Sequence, residues 1–232
     1  MTTRKDFLVA GSVAATLPGI AGAAPPTPHA AAVKLDFDLA AFTQSLASAK
    51  QPHKLLFAAC ELNGGEVLGA TRNTLNAYRD AGVSWSDTLP ALVLYHGLAI
   101  LLAFDDAVWN QYVIPHAEKL PKTADQARQI ASVRKNDGRG NPCLREQGGA
   151  NDTSIRALVA DAGARFFVCN NAAHGVANAI GSSLGKSPDA VYNDFAQHLV
   201  PNAMLVPAGV WAVHAIQEQR FTLLQTSLAS NV

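Results

Sequence analysis

Short apolar runs alternate along this chain with segments whose apolar residues recur every three or four positions. The runs are HKLLFAAC at 53–60, ALVLYHG at 91–97, RFFVCN at 165–170, AMLVPAG at 203–209 and FTLLQT at 221–226. Runs of this length, bounded by turn formers, are the pattern of strands covered on both faces. Helical spacing is predicted between them. Leu39, Phe42 and Leu46 share one side of a helix over 38–50, with Asp36 or Asp38 as N-cap and Pro52 closing it. Further helices are predicted at 67–81, capped near Thr71 and ended by Gly82, and at 98–113, stopped near Pro115. A helix from Asp152 or Thr153 to Ala162 ends at Gly163, and others follow at 171–180, 189–199 and 210–219. Apolar strands alternating with helices predict an α/β fold with right-handed crossovers. Its form is three-layer α/β/α, with a mostly parallel sheet of about five strands.

The two ends of the pattern differ from its middle. Residues 1–24 combine Arg4-Lys5, an apolar stretch from Phe7 to Ala24 and the small-residue site Ala21-Gly22-Ala23, which is the layout of an export signal. The segment TRKDFLVAG is similar to a twin-arginine signal with Lys5 in place of the second arginine, and a Sec-type route stays open. Residues 25–36 read as a Pro- and Ala-rich linker and 37–232 as one α/β domain. Within it, 116–151 is polar and rich in Gly and Pro, with one helix expected at 123–134. An irregular stretch this long is expected to be functional or mobile.

Charge narrows the function classes. The chain carries 18 basic and 18 acidic side chains, so nothing draws it electrostatically to nucleic acid or anionic lipid. Loss of the signal would leave 16 basic and 17 acidic groups, and no later apolar run reaches the roughly 18–20 residues of a spanning helix. The expectation is a mature protein without a stable membrane span, periplasmic or otherwise extracytoplasmic. In such an oxidising compartment three cysteines, Cys60, Cys143 and Cys169, leave at least one thiol without an internal partner.

Ligands of open parallel sheets bind at the carboxyl ends of the strands. Here those ends carry Cys60, His96 with Gly97, Cys169 with Asn170, and Pro207 to Trp211. Cys169 also stands just before a predicted helix, a position that favours the thiolate, and Asn170 and Asn171 can cap that helix and donate to an anion. Two readings of Cys169 stay open, a reactive thiol or a small buried hydrophobe. His96 is the candidate proton partner and His174, five residues beyond Cys169, points elsewhere on helical geometry. Cys60, Gly97, Asn170 and Asn171 complete the candidate ligand-binding set. Cys60 is also a candidate disulfide partner of Cys169, and Cys143 a candidate resolving thiol or an incidental one. No C-x-x-C or H-x-x-x-H spacing supports a metal, and no phosphate-loop, nucleophile-elbow or dinucleotide motif supports a cofactor. Asp105-Asp106 reads as a helix-surface pair.

The segments ALVLYHGLAI, DAGARFFVCNNAAHGV and AMLVPAGVWAVHAIQEQRFTLLQ, taken in order, resemble the DsrE/DsrF-like family over about 53–225. The resemblance implies a three-layer α/β fold that assembles as homotrimers or hexamers. In the sulfur-relay branch, the cysteine matching Cys169 accepts sulfane sulfur as a persulfide and passes it to a partner protein. An export signal departs from that cytoplasmic branch. The competing expectation is a non-catalytic oligomeric module that binds a small ligand or a protein.

Overall fold

The computed structural model describes residues 35–119 and 139–224, so the export signal expected at 1–24 and the helix expected at 123–134 lie outside the described residues. Five strands form one sheet: β1 (His53–Ala59), β2 (Thr88–Leu94), β3 (Arg165–Cys169), β4 (Ala203–Val206) and β5 (Thr222–Leu224). Their order is β4-β3-β2-β1-β5, and every neighbouring pair is parallel. Alternate residues of each strand face opposite layers, because side chains along a strand repeat with period two. Leu55, Phe57, Leu92, Leu94, Phe166 and Val168 pack into the larger core. Leu56, Ala91, Val93, Phe167 and Val206 pack into the smaller one on the other side. With helices on both faces, the protein is a three-layer α/β/α sandwich.

The helices divide between the layers. Helices α1 (Leu39–Ala47) and α8 (Gly209–Glu218) cover the smaller core through Phe42, Leu46, Ala212 and Ile216. Helices α2 (Glu66–Asp80), α5 (Ile155–Ala162), α6 (Asn170–Leu184) and α7 (Pro188–Gln197) cover the larger one. Strands β3 and β4 are neighbours, yet α6 leaves β3 for one face and α8 leaves β4 for the other. Such a reversal opens a crevice at the carboxyl ends of the two strands. The sequence shows which strand ends carry chemistry, whereas strand order decides which of them border this crevice.

Several boundaries differ from the sequence expectation. Strand β2 begins at Thr88 and includes Pro90, because pairing with β3 starts only at Ala91 opposite Arg165 and the proline sits beyond the end of that ladder. Asp38 does cap α1, accepting from Ala41 N at 3.0 Å. Thr71 caps nothing: it is buried inside α2, and its hydroxyl donates back to Val67 O at 2.8 Å. Helix α5 is capped by Ser154 rather than Asp152 or Thr153. The helix expected at 98–113 is absent as such. Gly97–Ala103 winds as a 3-10 helix, followed by α3 (Asp106–Val108), a π-turn at Trp109–Val113 and α4 (Ile114–Lys119). Pro115 therefore lies inside a helical segment, directly after a widened turn that accommodates its missing N–H and bulky ring.

The described part of the 116–151 region is a clasp rather than an open loop. Asn141 is fully buried and donates to Leu102 O and Phe104 O at 3.1 and 2.7 Å, while its Oδ1 accepts from Cys143 N. Asp106 accepts from Asn141 N, and Asp105 caps α3, so the acidic pair is structural. Arg72, 1% exposed, reaches from α2 to Asp152 O and the Asp161 carboxylate, with its guanidinium 4.7 Å from the Trp85 ring centroid. Asp152 closes the loop, its carboxylate accepting from the backbone N–H groups of Gln147, Gly148 and Ser154, each at 2.8 Å.

Burial raises the Asp152 pKa, but those backbone donors outweigh it and hold the carboxyl below its usual range. A lowered native pKa contributes stability that is present above the unfolded-state value and lost as pH falls through the native one. Asp152→Asn is expected to cost about 1–3 kcal/mol at pH 7. The difference from wild type should shrink as the pH drops below about 4. Denaturant titrations across pH measure both, and a gap that stays constant with pH would exclude the carboxylate as its source.

Candidate functional site

Register builds the site. Leu94 stands opposite Ala59 on β1 and Val168 on β3, so the next residues, Cys60, Tyr95 and Cys169, share one level at the carboxyl edge. They follow Ala58, Val93 and Phe167 in alternation and so belong to the face covered by α8. The Cys60 thiol donates to the Tyr95 hydroxyl at 2.6 Å. The Cys60 sulfur and then burial push the Tyr95 phenol up to about 12, so it stays protonated at neutral pH.

Cys169 is the last residue of β3 and itself the N-cap of α6, with φ −63° and ψ 114°. Its Sγ accepts from Ala172 N at 3.4 Å, taking the place a serine or aspartate oxygen ordinarily occupies. The residue is 5% exposed. The expectation that Asn170 and Asn171 cap this helix fails because the helix begins one residue earlier than predicted. Asn170 is its first residue, and its Oδ1 accepts from the Tyr192 hydroxyl of α7 at 2.5 Å.

The opposite wall is the start of α8. Ala208 caps it without a side-chain bond, leaving its first N–H groups open. A Cβ at Gly209 would lie 2.0 Å from Tyr95 Cβ and 3.1 Å from Cys169 Cβ. Glycine here is a requirement of close approach, since any side chain would force α8 away from the two strand ends. Pro207, just ahead of it, has a ring that presets the chain on leaving β4.

Between these walls lies a cleft of about 530 Å³ bordered by Tyr95, His96, His116, Cys169, Asn171 and the start of α8. Gly175, Val176 and Ala179 of α6 form an apolar side, and among the described residues no Lys, Arg, Asp or Glu lines the space. This is a mostly apolar pocket with a few convergent polar groups, the usual composition of a small-ligand site. His96 is exposed; its carbonyl accepts from Ala99 N at 3.3 Å, and its ring has no hydrogen-bond partner among the described residues. Gly97 has φ +50°, and a Cβ there would meet Cys60 O at 3.3 Å, so its presence follows from backbone geometry.

Of the residues singled out in the sequence, Cys169, His96, Gly97 and Asn171 border the cleft. Cys60 does not, although it touches the cleft through Tyr95, and Asn170 turns toward Tyr192. His174 stacks on Tyr192 with ring centroids 3.8 Å apart. Cys143 packs over Gly65 against the larger core, and burial pushes its thiol up to about 12. Cys143 does not border the cleft that Cys169 borders. All three cysteines are free thiols in this structure.

Two cleft residues escaped the sequence reading. Tyr95 reads in sequence as one more residue of the apolar run, although the strand-end rule that singles out His96 applies to it equally. His116 fell in the segment assigned to an irregular insertion. It is 5% exposed, its Nδ1 lies 2.5 Å from Ser183 Oγ on α6, and burial lowers its pKa. Among the described residues no three His, Cys, Asp or Glu side chains gather as a metal site, and no helix is long and apolar enough to cross a membrane. Searches against family models, curated proteins and solved structures find no match to this chain.

Gly209→Ala tests the close approach of α8. The added methyl overlaps Tyr95 Cβ, so the backbone must move, and the expected cost is about 1–3 kcal/mol or more in chemical denaturation. Stability equal to wild type would mean that α8 begins farther from the strand ends.

Proposed function

We propose that this protein is an exported DsrE-like sulfur carrier in which Cys169 accepts sulfane sulfur and passes it on. The observation that carries the proposal is the setting of one sulfur atom. Cys169 Sγ receives an N–H at the start of a 15-residue helix and borders a cleft formed where the connections from β3 and β4 diverge. An N–H donor and the positive end of a helix stabilise negative charge on sulfur, the form that attacks a disulfide or persulfide. Transfer from a hydropersulfide R–S–SH balances without a further reagent. The Cys169 thiolate bonds to the outer sulfur, the donor S–S bond breaks, and R–S⁻ departs and takes up the proton Cys169 gave up. Cys169 is thereby oxidised to the persulfide level while the donor is reduced to its thiol.

Export rests on the N-terminal pattern of residues 1–24, and a donor or acceptor protein and a trimeric or hexameric assembly rest on the family resemblance. The second reading, a binding module with an inert thiol, draws support from one observation, the 5% exposure of Cys169. Both readings place the ligand in the same cleft. They differ in whether its sulfur reacts.

Incubation with cysteine hydropersulfide, followed by alkylation and mass mapping, separates them. Wild type is expected to gain one sulfur at Cys169 and Cys169→Ser none. Loading of Cys169→Ser to the same extent would remove Cys169 from the role. Gly175→Leu provides an access control, because a Cβ at Gly175 meets nothing within 4 Å and the helix gains about 1 kcal/mol when a glycine is replaced. That variant is expected to fold at least as stably as wild type, with Cys169 alkylated more slowly. Unchanged alkylation would place the route to the thiol elsewhere.

A further inference from the structure

We infer that the sulfur donor of this cleft is the hydropersulfide of a long, linear, uncharged thiol, whose sulfur meets Cys169 and whose far end donates a hydrogen bond to His116. The inference rests on the sulfur-carrier reading and names the class of substrate for the same site. It starts from the distance between two walls. Cys169 and His116 both border the cleft, yet Ser183, which holds the His116 ring at 2.5 Å, lies fourteen residues beyond Cys169 on α6. That separation corresponds to about 21 Å of helix, so only an extended ligand touches both groups.

The lining between them is that of a trough for one chain. Asn171, Ala172, Gly175, Val176 and Ala179 recur at helical spacing and turn one face of α6 to the cleft over about two turns. Among the described residues no Lys, Arg, Asp or Glu borders it, so a charged stem would lose its hydration without gaining a partner. Asn171 stands at the Cys169 end, and its side-chain amide, without a partner among the described residues, suits an amide close to the donor sulfur. A volume of about 530 Å³ drawn out along the helix admits one extended chain rather than a fused ring system. A short donor such as cysteine hydropersulfide reaches the thiol but leaves the rest of the trough unused.

His116 supplies the far end. The Ser183 hydroxyl proton is committed to Ile180 O at 3.0 Å, so its oxygen accepts the proton on His116 Nδ1. Burial lowers the His116 pKa and keeps the ring neutral at pH 7, which leaves a lone pair on Nε2. The residue is 5% exposed and Nε2 has no partner among the described residues, yet it is not sealed, since the sealed unpartnered atoms are Arg72 Nη1 and Asn76 Oδ1. A buried acceptor open to a cleft is costly until something donates to it. A hydroxyl or amide N–H at the end of the ligand does so. Pantetheine has this form: it is uncharged, carries amides along its stem, and ends in a hydroxyl roughly 15 Å from its sulfur when extended. In the transfer the Cys169 thiolate bonds to the outer sulfur of the hydropersulfide and the donor S–S bond breaks. The stem leaves as a thiolate and takes up the proton Cys169 gave up.

Binding is measured first without chemistry, by calorimetry of full-length Cys169→Ser with pantetheine and with N-acetylcysteamine, the same thiol cut off after its first amide. Pantetheine should bind about 10- to 100-fold more tightly, the discrimination expected when a site buries and hydrogen-bonds the extra length. Equal affinities would overturn the inference. Ala179→Leu in the same background, at an exposed helix position about 15 Å beyond Cys169, fills the trough and should bring the ratio close to one. His116→Phe keeps a flat ring without the acceptor and should lower the ratio about 10-fold. A ratio that survives Ala179→Leu places the stem outside the cleft, and one that survives His116→Phe removes His116 from the site; either result overturns the inference. If His116→Phe does not fold, pantetheine lacking its terminal hydroxyl takes its place, and affinity equal to that of pantetheine is the overturning result. Loading of wild type from the two hydropersulfides tests the carrier reading separately, and faster loading of Cys169 from the pantetheine compound is expected. Preferential binding without loading from either overturns the carrier reading and leaves the cleft a binding site for the same class of thiol. Loading without any preference overturns the inference and leaves the carrier reading standing.

Discussion

The contact between Gly209 and the strand-end pair Tyr95 and Cys169 is the constraint on which the rest of the site depends. A helix can begin within methyl-contact distance of two parallel strand ends only where it carries no Cβ, and position 209 has none. That approach brings the open N–H groups of α8 to the same edge as the start of α6. Because the two helices then run to opposite faces of the sheet, the space between their first turns is not refilled by the fold. The cleft follows from topology, and its position beside Cys169 follows from one glycine.

Much of the architecture was legible because buried parallel strands and amphipathic helices leave different periods in the sequence. The five apolar runs became the five strands, and the glycine and capping signals around 38, 82 and 163 marked true ends. The failures have physical causes. Pro90 lies within β2 because the neighbouring ladder starts after it, a fact of register that no local pattern encodes. Residues 97–104 are uniformly apolar, so periodicity gives no sign that the segment starts as a 3-10 helix, and no local pattern marks the π-turn and two short helices that follow. The buried clasp residue Asn141 reads as a loop former, since its partners Leu102 and Phe104 are distant in sequence. For the site, the strand-end rule found Cys169, His96, Gly97 and Asn171, all on covalently adjacent stretches. His116 was invisible because its place depends on how α4 packs on α6.

Cys169 occupies a compromise between two demands. As an N-cap it replaces an oxygen acceptor with a weaker sulfur one, a substitution that contributes little to helix stability. Serine would serve that structural purpose better, so capping alone does not account for a thiol here. Nor does packing, because alanine or valine would fill a strand end facing α8 without bringing a polarisable, ionisable atom to a cleft wall. The thiol is kept at a point where neither the helix nor the core requires it.

The charge state of the cleft bears on what such a thiol can do. Among the described residues no Lys, Arg, Asp or Glu stands on the cleft walls, so those walls select a ligand by size and hydrogen bonding rather than by net charge. In a space of this kind a charge on sulfur is costly unless it is met by a fixed partner. The Cys169 sulfur has that partner in the Ala172 N–H and the start of α6. His116 meets the same helix through Ser183, fourteen residues farther along and so about 21 Å away. The thiol therefore depends on the helix start beside it, and the far imidazole forms another part of the cleft wall.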